Sequence, residues 1–349
     1  MTAADDKTTR ERLAASGSAL AMLSGIFEAA RVLPEQLRAP DNSLPLTVMS
    51  GFLGAGKTTL VNRLLRDPGG RRIIVLVNDF GSINIDAELI ESRAEDMIGL
   101  TNGCACCTVA GDLTGALLRI AQREDPPDAI VLESSGLADP HGIAQVALAN
   151  PAIRLDGVVT LVDCETFLEN LVNERTAALV ASQIGAADLV VVNKMDLAAG
   201  RRDQVMAAMA AAGTSRPTVV EATHADVPAD VILGIGNPRS FRFVCQTDTH
   251  EQSFSSWARA WNAPLDRSRL EQALEALPAG VLRVKGVFRF PQEPAARHVF
   301  QQVGSRRSWL KQPAAEDGAV SQLVVIGQAP CLDEAMMERI FEGVAAAAA

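Results

Sequence analysis

Three groups of residues in this chain have types and spacings suited to chemistry. The first is Gly51-Phe52-Leu53-Gly54-Ala55-Gly56-Lys57-Thr58-Thr59, a full match to the phosphate-binding pattern G-x-x-x-x-G-K-[ST]. Glycines let successive N–H groups turn inward, and with a helix N-terminus these form an anion cradle. Lys57 would reach the outer phosphates of a nucleotide, and the Thr58 hydroxyl would bind Mg²⁺. The second group is Thr101-Asn102-Gly103-Cys104-Ala105-Cys106-Cys107-Thr108, with three thiols in four positions. Thiolates hold borderline and soft ions such as Zn²⁺. Three ligands leave one position open, as suits a site that loads and unloads metal. Two other chemistries fit the same residues: small buried hydrophobes and a redox pair.

The third group lies further along. Asn193-Lys194-Met195-Asp196 follows the apolar run Asp188–Val192. A carboxylate at Asp196 can accept from both N1–H and the 2-amino group of guanine, a donor pair that adenine lacks. Asn193 would bridge the base site to the phosphate loop, and Lys194 would pack over the base. Glu133 ends the apolar run Ala129–Leu132, where an acid can hold Mg²⁺ or orient an attacking water. Gly136 behind it would let the backbone approach the γ-phosphate. Asp79, in Asn78-Asp79-Phe80-Gly81-Ser82, stands where a loop could reach the Mg²⁺ shell; a turn stabilised by Asn78 and Asp79 accounts for it equally. Glu221-Ala222-Thr223 is a weaker candidate for backbone contact with the base.

These residues need elements to hold them. Leu46–Ser50, Arg72–Val77, Ala129–Leu132, Gly157–Val162, Leu189–Val192 and Thr218–Val220 are apolar runs, most of them without alternation, as in parallel strands covered on both faces. Helical patterns such as Asp112–Gln122 and Arg201–Ala212 lie between them. That alternation predicts an α/β fold, a doubly wound, mostly parallel sheet over residues 46–233. Its ligand belongs beyond the carboxyl ends of the strands, and each motif above follows a strand. Gly234–Ser240 is linker-like. Beyond it, strands at Phe241–Cys245, Gly280–Phe290 and Gln322–Ile326 and helices at Asp266–Leu277 and Asp333–Val344 predict a smaller α+β domain over 234–349. Residues 1–45 form an extension with a helix over 13–31. Acidic residues flank that segment and argue against a secretory signal.

Composition narrows the classes. A formal net charge of -10 disfavours a nucleic-acid surface and anionic lipid. No apolar run is long enough to span a bilayer. Six scattered or clustered cysteines, unlike a disulfide framework, suit a reducing cytoplasmic compartment.

Together the motifs G-F-L-G-A-G-K-T-T, N-G-C-x-C-C, E-S-S-G-L-A-D-P and N-K-x-D, in that order, resemble the CobW family of metal-chaperone GTPases, relatives of the nickel-insertion GTPases of urease and hydrogenase. Leu282-Arg283-Val284-Lys285-Gly286-Val287 is similar to the family's L-R-x-K-G strand, so the resemblance covers about residues 46–345. It implies slow GTP hydrolysis, metal binding by Cys104, Cys106 and Cys107, and delivery to a client metalloprotein. It likewise implies that Gly54, Gly56, Lys57, Thr58 and Thr59 hold phosphate, while Asn193 and Asp196 read guanine. Zn²⁺ is the default cargo, with Co²⁺ or Fe²⁺ open. An assembly protein for one metalloenzyme and a redox- or metal-sensing GTP-binding regulator are the alternatives. The chain departs from the family at its N-E-F-G-E loop: Asp79 keeps a shorter carboxylate and Ser82 removes one. His250 alone stands where many members carry a His-rich stretch, which argues against metal storage; His141 and His224 are ordinary loop histidines on this reading.

Overall fold

Strands of three to eleven residues, most of them largely apolar, build the centre of the molecule, seen in a computed structural model. It describes residues 43–78, 97–99, 106–198, 200–212, 218–234, 254–313 and 321–345. The expected helix over 13–31, the strand at Phe241–Cys245, Asp79 and Cys104 lie outside these residues.

Seven strands pair in parallel: β1 (Leu44–Gly51), β2 (Ile73–Asn78), β3 (Met97–Gly99), β4 (Ala129–Ser134), β5 (Ile153–Asp163), β6 (Leu189–Asn193) and β7 (Thr218–Glu221). Their order is β3-β2-β4-β1-β5-β6-β7, a doubly wound sheet. The pleat sorts the side chains by face. Ile73, Val75 and Val77 join one core with Leu60, Val61 and Leu64 of α1 (Lys57–Arg66). Ile74 and Leu76 join the other with Leu113, Ala116, Leu117 and Ile120 of α2 (Cys106–Ala121). The latter four repeat at helical spacing and form one stripe. Helices α3 (Pro140–Ala149), α4 (Phe167–Val172), α5 (Ala177–Gly185), α6 (Arg202–Ala212) and α7 (Ala229–Leu233) complete this part.

Five antiparallel strands follow: β8 (Phe254–Trp261), β9 (Val281–Phe288), β10 (Ala296–Val303), β11 (Arg306–Pro313) and β12 (Ser321–Gln328), in the order β11-β10-β9-β12-β8. Helices α8 (Arg267–Glu275) and α9 (Glu334–Ile340) join them. Both start at an aspartate whose side chain accepts from a backbone N–H: Asp266 from Arg269 at 2.9 Å, Asp333 from Met336 at 2.8 Å. Leu270, Ala273 and Leu274 bury α8 against Phe288, Phe300, Trp257 and Phe341.

The two sheets share apolar contacts and ion pairs. Leu282, Val303 and Ile326 enter the core that α1 covers. Arg283, 2% exposed, donates to Asp156 Oδ2 at 2.6 Å, to the Val231 carbonyl at 2.7 Å and to the Ile232 carbonyl. Arg306 donates to buried Asp188 at 2.7 Å.

One boundary needs correction. α2 begins at Cys106 instead of Asp112. Cysteine, threonine, valine and glycine are indifferent or poor helix formers, so its first turns carry little signal in sequence. Two of the three clustered thiols therefore belong to a helical first turn.

Candidate functional site

β1 ends at Gly51, whose φ of +134° turns the chain away from the sheet. A Cβ there would collide with the Leu161 carbonyl, so only glycine fits. Gly54 and Gly56 are left-handed, at φ +78° and +101°. Gly56 precedes α1, and no acidic residue in the first turn of that helix shields its positive end. Ala55 is buried within the loop. Lys57 bends back over it: Nζ donates to the Gly51 carbonyl at 2.8 Å and to the Phe52 carbonyl at 3.3 Å. Thr58 and Thr59 follow in the first turn, Thr59 exposed.

The neighbouring strand end brings a carboxylate to this loop. Glu133, in β4, is 2% exposed, and its Oε1 accepts from Thr58 Oγ1 at 2.8 Å. A hydroxyl and a carboxylate in contact are hard oxygen donors of the kind Mg²⁺ takes. Gly136, two residues beyond β4, lies under the loop. A Cβ on it would stand 2.8 Å from the Leu53 backbone nitrogen. Gln183, absent from the expectations, buries its amide beneath this turn and donates to the Gly136 carbonyl at 3.1 Å and the Ala138 carbonyl at 3.2 Å.

On the far side, Asn193 ends β6 and joins two loops. Its Nδ2 donates to the Ala55 carbonyl at 3.0 Å, and its Oδ1 accepts from Ala225 N–H at 2.7 Å. Lys194 takes a left-handed φ of +61°, and its Nζ pairs with buried Asp163 at 2.7 Å. Asp196 is exposed on the short 3-10 turn Met195–Leu197. Met195 N–H donates to the Ala222 carbonyl at 3.1 Å, which ties this turn to the segment after β7. That segment holds two consecutive left-handed residues, His224 and Ala225, at φ +53° and +54°. Arg63 of α1 pins it through the His224 carbonyl at 2.9 Å and Asp226 at 2.6 Å. Glu221 is engaged by Arg202 at 3.0 Å. Sequence reasoning missed Asp163, although an acid ending an apolar strand is the same signal that singled out Glu133. His141 lies in α3 and pairs with Asp139 at 2.8 Å, which lowers the Asp139 pKa.

Of the thiols, Cys106 and Cys107 open α2. No cluster of three metal-ligating side chains occurs among the described residues, and Cys104 lies outside them.

Residues 45–221 match the family described as CobW/HypB/UreG, nucleotide-binding domain, and residues 241–345 match the cobalamin synthesis protein cobW C-terminal domain. The chain belongs to the CobW family of P-loop GTPases. It is 33% identical over 340 residues to the zinc chaperone CobW of a Sinorhizobium species, covering 83% of this chain and 94% of that one. It is 31% identical to the zinc chaperone YjiA of Escherichia coli K12, at 82% and 94% coverage. The zinc-regulated GTPase metalloprotein activator 1 of Dictyostelium discoideum is 29% identical, at 70% and 62% coverage. The crystal structure of Zn(II)-bound YjiA GTPase from E. coli aligns with 87% of this chain and all of that one, at 25% identity and a TM-score of 0.40. The two CobW matches correspond to the parallel and antiparallel sheets. No helix among the described residues is long and apolar enough to cross a membrane.

Proposed function

We propose that this chain is a GTP-dependent metallochaperone. It binds a transition metal, zinc by preference, at Cys104, Cys106 and Cys107 and hydrolyses GTP to deliver it to a client metalloprotein. The observation that carries this reading is a shared edge. All seven strands are parallel, so their carboxyl ends lie together, in the order β3-β2-β4-β1 on the relevant side. The phosphate loop follows β1, Glu133 lies near the end of β4 with Gly136 two residues beyond it, and Cys106 and Cys107 open α2, the element after β3. From β3 to β1 is three strand spacings, roughly 14 Å. A change at the γ-phosphate need cross only β4 and β2 to reach β3, the strand that precedes α2.

The residues divide the work as follows. Lys57 exchanges loop carbonyls for phosphate oxygens. Backbone N–H groups from Gly54 to Thr59 hold the phosphate chain. Thr58, with Glu133 behind it, would hold Mg²⁺, which supplies charge neutralisation on the phosphates when bound. Asp79 would approach the same shell, and Gly136 would donate its N–H to the γ-phosphate. Asp196 selects guanine, while Asn193 couples the base turn to the loop. Lys194, paired with Asp163, keeps the base turn in its left-handed geometry. Turnover without a partner is slow, since the sequence offers no evident arginine finger. Cys106 and Cys107 stand in the first turn of α2, and thiolate is the form of cysteine that binds metal.

The names of two relatives, both zinc chaperones, support zinc; thiolates would also take Co²⁺ or Fe²⁺. The net charge of -10 supports a protein client over nucleic acid or membrane, in a reducing cytoplasm. A second reading, activation of one particular metalloenzyme, has support in the name of the Dictyostelium relative. The test is Cys106→Ala. Zinc affinity by chelator competition should fall at least a hundredfold with GDP affinity unchanged. Unaltered zinc affinity removes the thiols from the site.

A further inference from the structure

At the other end of the parallel sheet lies a cavity of about 670 Å³, lined by the amino ends of β1, β4 and β5, by Arg71 and Arg72 just before β2, and by β9, β10 and β11. That volume is in the range of small-molecule sites. Among the described residues five arginines and a lysine line it, Arg71, Arg72, Arg154, Arg283, Arg297 and Lys285, against two acids, Asp128 and Asp156. Both acids are engaged: Asp156 holds Arg283 at 2.6 Å, and Asp128 accepts the Arg72 backbone N–H at 2.9 Å. Arg71 pairs with Asp230 and Arg72 with Asp125.

Among the described residues, that leaves Arg154 and Arg297 in excess of the acids. Arg154 donates to the Ser43 carbonyl at 2.7 Å, and neither it nor Arg297 forms an ion pair among the described residues. The Nε atoms of Arg71, Arg154 and Arg297 and the Ser43 hydroxyl are buried without a hydrogen-bond partner among the described residues. Arg71 is only 9% exposed. Burial, and next the charge of Arg154, lower the Lys285 pKa to about 7. Like charges gathered in a partly closed cleft are stabilised by an anion, and guanidinium forks match phosphate and carboxylate oxygens in pairs. The chain as a whole is acidic, so a locally basic cleft stands out against its own field.

We propose that this cleft binds a small polyanion carrying phosphoryl or carboxylate groups, gripped by Arg154 and Arg297 with Arg71 and Lys285 beside them. Its occupant touches strands of both sheets and so links the two domains. The site is separate from the nucleotide loop and does not depend on the metal-delivery reading.

The test uses the full chain saturated with GDP and Mg²⁺, titrated calorimetrically with fructose 1,6-bisphosphate and, separately, with tricarballylate. One saturable site is expected, weakened at least tenfold by Arg154→Gln with Arg297→Gln while GDP affinity holds. Tighter binding of the bisphosphate assigns phosphoryl groups; tighter binding of tricarballylate assigns carboxylates. The same affinity is expected in Lys57→Ala, and binding lost there belongs to the nucleotide loop and overturns the proposal. In the wild-type chain, either anion should slow acylation of Lys285 by acetic anhydride several-fold, read by mass spectrometry. That measurement decides alone if the double variant does not fold. No heat and no protection at millimolar anion, or binding indifferent to the double substitution, overturns the proposal as well.

Discussion

Single side chains hold the nucleotide site together across long sequence distances. Asn193 is the clearest, since its amide spends both ends on backbone, at Ala55 and Ala225. Asn193→Ala leaves a buried carbonyl and a buried N–H unpartnered, a loss of about 1–3 kcal/mol per group. The expected result is a lower urea midpoint and GDP affinity reduced at least tenfold; a variant equal to the parent in both would mean the bridge is incidental. Gly136 makes a different demand. No left-handed φ is required of it; a methyl group there meets Leu53 at 2.6–2.8 Å. Gly136→Ala should slow hydrolysis at least tenfold, through a turn forced off the phosphate loop, at a strain of about 1–3 kcal/mol. Hydrolysis at the parent rate would free this position from any part in sensing the γ-phosphate. Asp196→Asn should relax selection of GTP over ATP, because an amide cannot accept from both guanine donors; unchanged selectivity would take base reading away from Asp196.

At the scale of elements, the antiparallel sheet is fastened through β9. Arg283→Met leaves Asp156 buried without its cation and strips the Val231 and Ile232 carbonyls. The expected cost is about 3–5 kcal/mol in denaturant unfolding, partly recovered by adding Asp156→Leu. A loss under about 1 kcal/mol would mean the sheets are held by their apolar contact alone. How far these elements could be read from sequence followed from their burial. β1, β4 and β6 are buried along nearly their whole length and stand out as apolar runs. β11, Arg-Arg-Ser-Trp-Leu-Lys-Gln-Pro, is an edge strand with no fully buried residue and shows no such run. Gly304, left-handed at φ +53° between β10 and β11, was the available hairpin signal. β3 is three residues long and too short to show periodicity. The site was legible where chemistry requires a residue type, at Lys57, Thr58, Glu133 and Asn193. Gln183 and Arg63 escaped, because they act on backbone carbonyls brought near only by folding.

For the molecule as a whole, the two sheets make its stability depend on pH through Lys285. Its folded pKa, about 7, lies below the unfolded value near 10.4. Between those values the unfolded chain binds more protons, so stability rises with pH across roughly 7 to 10. Below about 7 the lysine is charged in both states and the penalty is fully present. Lys285→Met should therefore be more stable than the parent at pH 6 and show a flatter slope over that window; identical profiles would contradict this account of the cleft. The parallel sheet carries the larger claim, since one edge bears the phosphate loop, Glu133 and the start of α2. The most direct test is the zinc affinity of the full chain, measured by chelator competition with a non-hydrolysable GTP analogue and with GDP. Affinity at least tenfold tighter in the triphosphate state is predicted; equal affinity in the two states would contradict any transmission of the γ-phosphate to the thiols.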